Sequence, residues 1–356
     1  MTTQPIIDQA KTEAFLGKVL SDTSGMTTTI MASIGDRLGL FKQMAQGPAT
    51  STQLAARADI NERYVREWLG AMASAGYVEY DPARQRFTLP PEHVPVLAQE
   101  NGPIFFGGIH QALVGQIGPL NQLIQAFQHG GGVPQSAYDN NVWDGIERFT
   151  AGWFENLLLP VWLPAMPDVQ AKLERGALVA DVGCGRGRAL IKLAQAFPRS
   201  HYVGYDIFEP TIAKATEHAQ AAGVGEQVRF EHRDVSADLP ELYDVITTFD
   251  VVHDAIDPRG LLRAIRRSLR PDGRYVCLDI NCAERLEGNA GPLGSLFYGF
   301  SILYCMTTSL AGHGEGLGAL GLPEARLQEL CLEAGFSNVR RVPLENPFNN
   351  LYEIQP

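Results

Sequence analysis

The stretch Val179-Ala-Asp-Val-Gly-Cys-Gly-Arg-Gly-Arg188 decides the fold. An apolar strand runs into a loop with glycines at 183, 185 and 187, and the apolar helix Ala189-Leu-Ile-Lys-Leu-Ala-Gln-Ala-Phe197 follows at once. Residues without a Cβ let the backbone turn tightly and approach a ligand closely, so the loop reads as a cradle for a small molecule. A dinucleotide fingerprint would carry its third glycine where this chain has Arg188. Asp181 sits just ahead of the glycines, where a carboxylate repels a pyrophosphate and suits a ligand bearing positive charge. Alone, the loop also fits another nucleotide or sugar-phosphate fold; the strands that follow narrow it.

His201-Tyr-Val-Gly-Tyr-Asp206 reads as a second strand. It ends in an acid about twenty residues after the loop, where a ribose is held through its hydroxyls. Asp206 is the expected ribose ligand, with Ile207 beside it. A third strand, Val228-Arg-Phe-Glu-His-Arg233, delivers Asp234 and Val235 to the same edge, and Tyr243-Asp-Val-Ile-Thr-Thr-Phe-Asp250 is the fourth. Short apolar strands alternating with helical patterns predict a parallel sheet with helices on both faces, and ligands in such sheets bind at the strands' carboxyl ends. After helix Arg259–Leu269 the turn Pro271-Asp-Gly273 opens a fifth strand, Arg274–Asp279. Val339–Val342 and Leu351–Ile354 look like two closing strands joined through Pro343 and Pro347.

This succession, over the last half of the chain, resembles the class I S-adenosylmethionine-dependent methyltransferases. The resemblance implies an α/β fold, a Rossmann-like sheet of seven strands closed by an antiparallel hairpin. It implies S-adenosyl-L-methionine as cofactor, contacted by Asp181, Gly183, Gly185, Gly187, Asp206, Ile207, Asp234, Val235 and Asp250. Asp234 then lies where the family's adenine amino group is usually met.

The front of the chain is a different unit. Met31–Phe41 has apolar residues at helical spacing, Ser51 and Asn61 are hydroxyl and amide cap residues ahead of two more helical segments, and Tyr77–Tyr80 with Arg86–Leu89 form a hairpin around Asp81-Pro82. Three helices and a hairpin make a winged helix, which raises the question of DNA. Residues 1–95 carry nine Lys or Arg against ten Asp or Glu, Glu62 and Glu67 interleave with Arg63 and Arg66, and the whole chain has a net charge of -11. Neutralising phosphates needs several cations on one face, so the charge argues against DNA binding. Plant-type small-molecule O-methyltransferases, and still more closely a mycobacterial-type group of winged-helix methyltransferases, are similar to this arrangement. The similarity implies a homodimer formed through the front unit. The expected division is a winged-helix domain over 1–98, a helical linker covering the site over 99–173, and the cofactor domain over 174–356.

The 356 residues, 45% of them hydrophobic, suffice for two cores. Five cysteines include no Cys-x-x-Cys pair, and Met1-Thr-Thr-Gln-Pro5 lacks a basic-then-apolar signal, which points to a reducing cytoplasm. Phe297–Leu310 is strongly apolar but shorter than the roughly 20 residues a bilayer needs, so a buried helix is expected there and no membrane contact.

The residues between 99 and 173 are dense in aromatics, among them Phe105, Phe106, His110, Phe127, Trp143, Phe149, Trp153, Phe154 and Trp162. Taken as a whole, the segment suggests helices that line the site for a small apolar or aromatic substrate. His253 and Asp254 follow the fourth strand, where the plant-type resemblance implies a general base for O-methylation, with Asp279 as its supporting acid. A second supporting glutamate has no counterpart, because the matching position is Gly321. Two alternatives stand beside this. One is a metal-assisted C-methyltransferase using His253, Asp254 and His313; the other is a regulator that senses a metabolite through the cofactor site. The glycine-rich run Gly312–Gly321 reads as a mobile loop at the site.

Overall fold

The computed structural model describes residues 7–356, in two units, Met1–Val114 and Gly115–Pro356. In the front unit, the apolar run Met31–Phe41 is not one helix. A long helix, Gln9–Arg37, ends there, Gly39 takes a left-handed turn at φ 69°, and a short helix, Leu40–Met44, begins. The turn lets Leu40, Phe41 and Met44 enter the same core as Ala32. Thr50 rather than Ser51 caps the next helix, Ser51–Ala58, because Thr50 and Gln53 bond each other's backbone in a capping box. Ser51 instead donates to Glu62 at 2.5 Å. Asn61 caps helix Glu62–Ser74 as its sequence suggests. Trp68 of that helix donates its indole N–H to Met31 O at 2.8 Å, and Gly35 leaves room for the ring, since a Cβ there would lie 2.2 Å from Trp68 Cζ2. Strands β1 (Glu79–Asp81) and β2 (Arg86–Thr88) form the wing.

The second unit is built on seven strands: β3 (Leu178–Val182), β4 (His201–Asp206), β5 (Val228–His232), β6 (Tyr243–Phe249), β7 (Leu269–Ile280), β8 (Asn338–Val342) and β9 (Asn349–Gln355). Their order is β5-β4-β3-β6-β7-β9-β8; the first five are parallel, and β9 runs antiparallel to both its neighbours. The strands are apolar because both faces are covered. Val179 joins one core cluster with Leu190, Leu193 and Tyr202, whereas Ala180 and Val182 join another with Leu262, Ile265 and Leu330. Helices Arg188–Ala196, Glu209–Ala221 and Pro258–Ser268 make the crossovers. The strand expected to begin after Pro271-Asp-Gly273 is longer: β7 starts at Leu269, and the turn residues lie in an irregularity opposite β6.

Two further helical runs matter for the site. Helix Asn140–Trp153 loosens into a π-helix over Phe154–Trp162, where Pro160 has no N–H to give. The apolar segment near residue 300 is one continuous run, Pro292–Ala311, with a π-helical turn at Ser301–Cys305. Its 20 residues reach the length and mean hydropathy, 1.2, of a membrane span. Yet Tyr304, Cys305, Thr307 and Ser309 are buried, and the Ser309 hydroxyl donates to Ala255 O at 3.0 Å.

Candidate functional site

The chain order of the strands reverses between β3 and β6, and there, at their carboxyl ends, opens a cavity of about 280 Å³. Its floor is the glycine loop. Gly183 and Cys184 N–H groups both donate to Tyr205 O, at 2.8 and 3.0 Å, which pins the loop to β4. Gly185, at φ 51°, presents open space: a Cβ there would meet nothing within 4 Å. Gly187 serves packing instead, since its Cβ would fall 2.4 Å from Phe230 Cζ, and it does not line the cavity.

Acids stand around this floor. Asp181 accepts from Thr247 Oγ1 at 2.6 Å, and burial pushes its carboxyl up to about 7. Asp206 accepts the N–H of Gly185 and of Phe208, both at 2.9 Å, and burial also raises it. Asp250 has a left-handed backbone at φ 56°, accepts from Asn349 Nδ2 at 2.5 Å, and is pushed up to about 7 by burial and by Asp279. All three line the cavity, as do Gly183, Gly185 and Ile207. The structure departs from expectation at Asp234 and Val235. Strand β5 ends at His232, Asp234 is exposed and spends one oxygen on the Ser236 N–H and hydroxyl, and Val235 is buried in the core, so neither reaches the cavity.

On the other flank, His253 lies in a single helical turn, Val252–Asp254, after β6 and is 2% exposed. Its Nδ1 is 2.7 Å from Asp279 Oδ1, which also accepts the Ile280 N–H at 2.8 Å. Its Nε2 is 3.1 Å from Asp254 Oδ1, an ion-pair approach that leaves this oxygen without an aligned donor. Burial opposes a charged ring, but the two carboxylates outweigh it and raise the imidazole well above its ordinary range. The glycine-rich run is strapped to this turn: Gly318 N–H donates to His253 O at 3.1 Å, and Gly314 passes so close that a Cβ would lie 2.5 Å from Ile256 O. At Gly321 a Cβ would lie 2.0 Å from Leu317 O, so a glutamate side chain has no place there without a backbone shift.

Two sets of potential metal donors come within 4.8 Å of one another, His253 with Asp254 and Cys305, and Asp250 with His253 and Asp279. Both draw on the ring of His253, whose two nitrogens face Asp279 and Asp254. His313 belongs to no such set among the described residues; it sits in the strapped loop with its N–H on Leu310 O.

Of the aromatic segment, Trp143, Trp153 and Phe154 line the cavity, and Trp143 stacks on Phe208 at 4.4 Å. Phe149 packs edge-on against Trp153, Trp162 is core, Phe127 is exposed, and Phe105, Phe106 and His110 belong to the front unit. Several residues carried no sequence signal. Arg186 lines the cavity and is held by Asp144 at 2.6 Å and Glu147 at 2.8 Å, while Arg188 pairs with Glu147 at 2.6 Å. Tyr304 and Asn349 come from segments far along the chain. An arginine inside a glycine motif, followed by a second, could have prompted a search for acids in the cover helix.

Comparison with known proteins agrees with this architecture. Residues 26–99 match a family model described as an Rv2258c-like winged HTH domain, and residues 173–294 match one described as a methyltransferase domain. The ubiquinone biosynthesis O-methyltransferase of Pseudomonas syringae pv. tomato is 31% identical over 140 residues, 39% of this chain and 57% of that protein. The protein of the same name from Ruegeria pomeroyi is 32% identical over 106 residues, 30% and 42% of the two chains. The chain thus spans about half the length of the curated relatives it matches. Among solved structures, the mitomycin 7-O-methyltransferase MmcR has a TM-score of 0.71 at 20% identity, covering 98% of this chain and 99% of its own. Human N-acetylserotonin methyltransferase, solved with S-adenosylmethionine, has a TM-score of 0.66 at 18% identity, covering 100% and 99%. At such identities the likeness shows the fold. With both family models matched in this order and the seven-stranded sheet beneath the second, the chain carries a winged-HTH domain followed by a methyltransferase domain.

Proposed function

We propose that this chain transfers a methyl group from S-adenosyl-L-methionine to a hydroxyl of a small, apolar or aromatic metabolite. The observation that carries the reading is the company of the cavity's acids. Asp181, Asp206 and Asp250 converge on one space, each held by neutral donors, while Arg186 at the rim is engaged by Asp144 and Glu147. Such a set suits a ligand with positive charge and ribose hydroxyls and repels a pyrophosphate. Bound there, S-adenosyl-L-methionine supplies an electrophilic methyl group on a sulfonium. Asp206 beside the open face of Gly185 is the proposed ribose ligand, Ile207 an apolar contact for the base, and Asp181 with Asp250 the proposed partners of the cationic end. Trp143, Trp153, Phe154 and Tyr304 give the acceptor side an aromatic wall that excludes water and aligns an apolar substrate. Proton removal falls to the acid cluster centred on His253.

Incubating the protein with labelled methyl donor and a panel of phenols, acids, keto acids and amines tests this. A methyl ether from a phenol is the expected product; label confined to carbon or nitrogen overturns the O-methyl reading.

The proposed setting is cytoplasmic, and the proposed partner is a second copy of the chain. Helix Gln9–Arg37 leaves Phe15, Leu16, Leu20 and Met26 exposed over a span too long for its own small core to cover. Replacing Leu16 and Leu20 together by Glu is expected to give a monomer by light scattering. Helix Glu62–Ser74 favours this role over DNA, because Arg63 and Arg66 pair with Glu67 and Glu62 of the same helix, both at 2.6 Å.

A further inference from the structure

We infer that Asp254, rather than His253, is the group that receives the acceptor's proton, and that His253 is its positioning residue. The inference rests on the methyl-transfer reading above and assigns its proton.

Access decides the matter first. Asp254 lines the cavity and its side chain is 30% exposed, whereas His253 does not line the cavity and is 2% exposed. A base must come within hydrogen-bond reach of the proton it takes. An acceptor in the cavity meets the carboxylate, with the imidazole behind it.

Proton inventory decides it next. Asp279 faces Nδ1 at 2.7 Å and is anchored by a backbone N–H, and Asp254 faces Nε2 at 3.1 Å. An imidazole with one nitrogen bonded to Asp279 and the other beside the charge of Asp254 is favoured with both protons on, and an imidazolium has no lone pair with which to act as a base. The other titratable groups facing the ring are Asp250, Cys305 and Cys282, the last held up at about 11 by burial, and Tyr304 lies beside Asp254. Burial holds the Cys305 thiol up at about 12, and Tyr304 well above its ordinary range, so both stay neutral and leave the acids as proton acceptors.

Charge then favours the transfer. Asp279, the imidazolium and Asp254 together carry one negative charge. The acceptor oxygen bonds the methyl carbon, the electron pair of the broken carbon–sulfur bond stays on sulfur, and the hydroxyl proton passes to Asp254. The cluster becomes neutral in the same event in which the positive charge on sulfur disappears, so the net charge of the buried site does not change. A low-dielectric site penalises unpaired charge, and this sequence creates none.

Two measurements test the assignment. In the pH dependence of kcat/KM for a phenol that the protein methylates, the acidic limb is expected to persist in His253→Asn and to vanish in Asp254→Asn. Asp254→Asn should also lower kcat by about 10²–10³-fold, with partial recovery in Asp254→Glu. Loss of the limb in His253→Asn with its retention in Asp254→Asn overturns the proposal. The second measurement needs no turnover: in histidine-labelled wild-type protein at pH 7, the His253 ring nitrogens, assigned by difference from His253→Asn, should both show protonated ¹⁵N shifts. A pyridine-type shift at Nε2 overturns it. If the wild-type protein methylates no hydroxyl in the panel, the O-methyl reading fails, and the nitrogen shifts alone then decide the role of His253.

Discussion

The two flanks of the cavity hold their acids in different company. On the β3–β4 side, Asp206 accepts two backbone N–H groups from nearby loops and Asp181 accepts one threonine hydroxyl. On the β6–β7 side, Asp254 and Asp279 bracket one imidazole, and Asp250 is held by Asn349, which lies 99 residues away. The first flank holds its acids with neutral donors, two of them backbone N–H groups on Asp206; the second sets its acids around a titratable ring and against a distant side chain. Backbone dipoles are fixed before a ligand arrives, so the donor flank is suited to binding, while a titratable cluster is suited to moving a proton.

If this division is real, damage on one flank should spare the other. Asp254 apart, the largest effect is expected from His253→Ala, which should lower kcat at least about 100-fold while leaving the affinity for S-adenosylhomocysteine within about twofold. Calorimetry beside steady-state kinetics checks both halves, and a parallel loss of affinity would erase the distinction. Next comes Asp206→Asn on the opposite flank. The two oxygens of Asp206 each accept a backbone N–H, and an amide must turn an NH₂ group toward one of them. That mismatch costs about 1–3 kcal/mol, and the lost charge removes a strong ribose contact. Affinity for S-adenosylhomocysteine should fall about 10- to 100-fold, whereas the His253 nitrogen shifts should stay where they are.

The same contrast explains what the sequence disclosed. The glycine spacing, Asp181, Asp206 and Asp250 were legible because a strand, its turn and its terminal acid are consecutive residues, and a parallel sheet brings strand ends to one edge. The closing hairpin β8–β9 was legible from two short apolar runs separated by prolines. Asp234 and Val235 were misplaced because strand length decides whether a terminal acid reaches the edge, and β5 stops two residues short of Asp234. The hydroxyl of Ser51 suggests a cap, yet the capping box belongs to Thr50, whose Gln53 partner three residues on is the stronger signal. Tyr304, Cys305 and Asn349 could not be read at all. They reach the site from the π-helical turn Ser301–Cys305 and the start of β9, and no local periodicity records where such segments dock. The bracket around His253 is likewise tertiary: Asp254 is its neighbour in sequence, yet only the fold shows which of the two faces the cavity.

A smaller effect sharpens the donor flank. The carboxyl of Asp181 is 2% exposed and sits at about 7, against an ordinary value of 3.8. Between these values the folded protein keeps a proton that the unfolded chain has released, so the stability of the ligand-free protein falls as pH rises from about 4 to 7 and stays low above it. Asp181→Asn removes this penalty and keeps an oxygen for Thr247. The variant's melting temperature should match the wild type's at pH 4 and exceed it by a few degrees at pH 8. Because the carboxylate is proposed to face a cation, the variant should also bind the methyl donor more weakly at pH 8. A melting difference that does not change with pH would mean that Asp181 is charged in the empty site and that the floor of the cavity already supplies its counter-charge.

The smallest effect lies at the rim, where Glu147 of the cover helix meets both loop arginines. Arg188 is 46% exposed in its side chain, and its pair with Glu147 is half in solvent; exposed pairs contribute about 0–1 kcal/mol, so Arg188→Ala should move the melting temperature by no more than about a degree or two. Arg186 is different although it sits two residues away. It is 15% exposed, bonds Asp144 and Glu147 together, and has a buried Nε with no partner. Removing it takes one of two arginines from Glu147, itself 11% exposed, and also takes Arg186 from Asp144, opposite the loop that Asp206 holds from the other side. Arg186→Ala should therefore exceed Arg188→Ala in both destabilisation and loss of donor affinity, and the comparison is read by melting curves with and without S-adenosylhomocysteine. Equal effects would place the cover helix outside the donor flank; the expected inequality makes it that flank's third wall, fixed by side-chain charge where Asp206 and Asp181 are fixed by neutral donors.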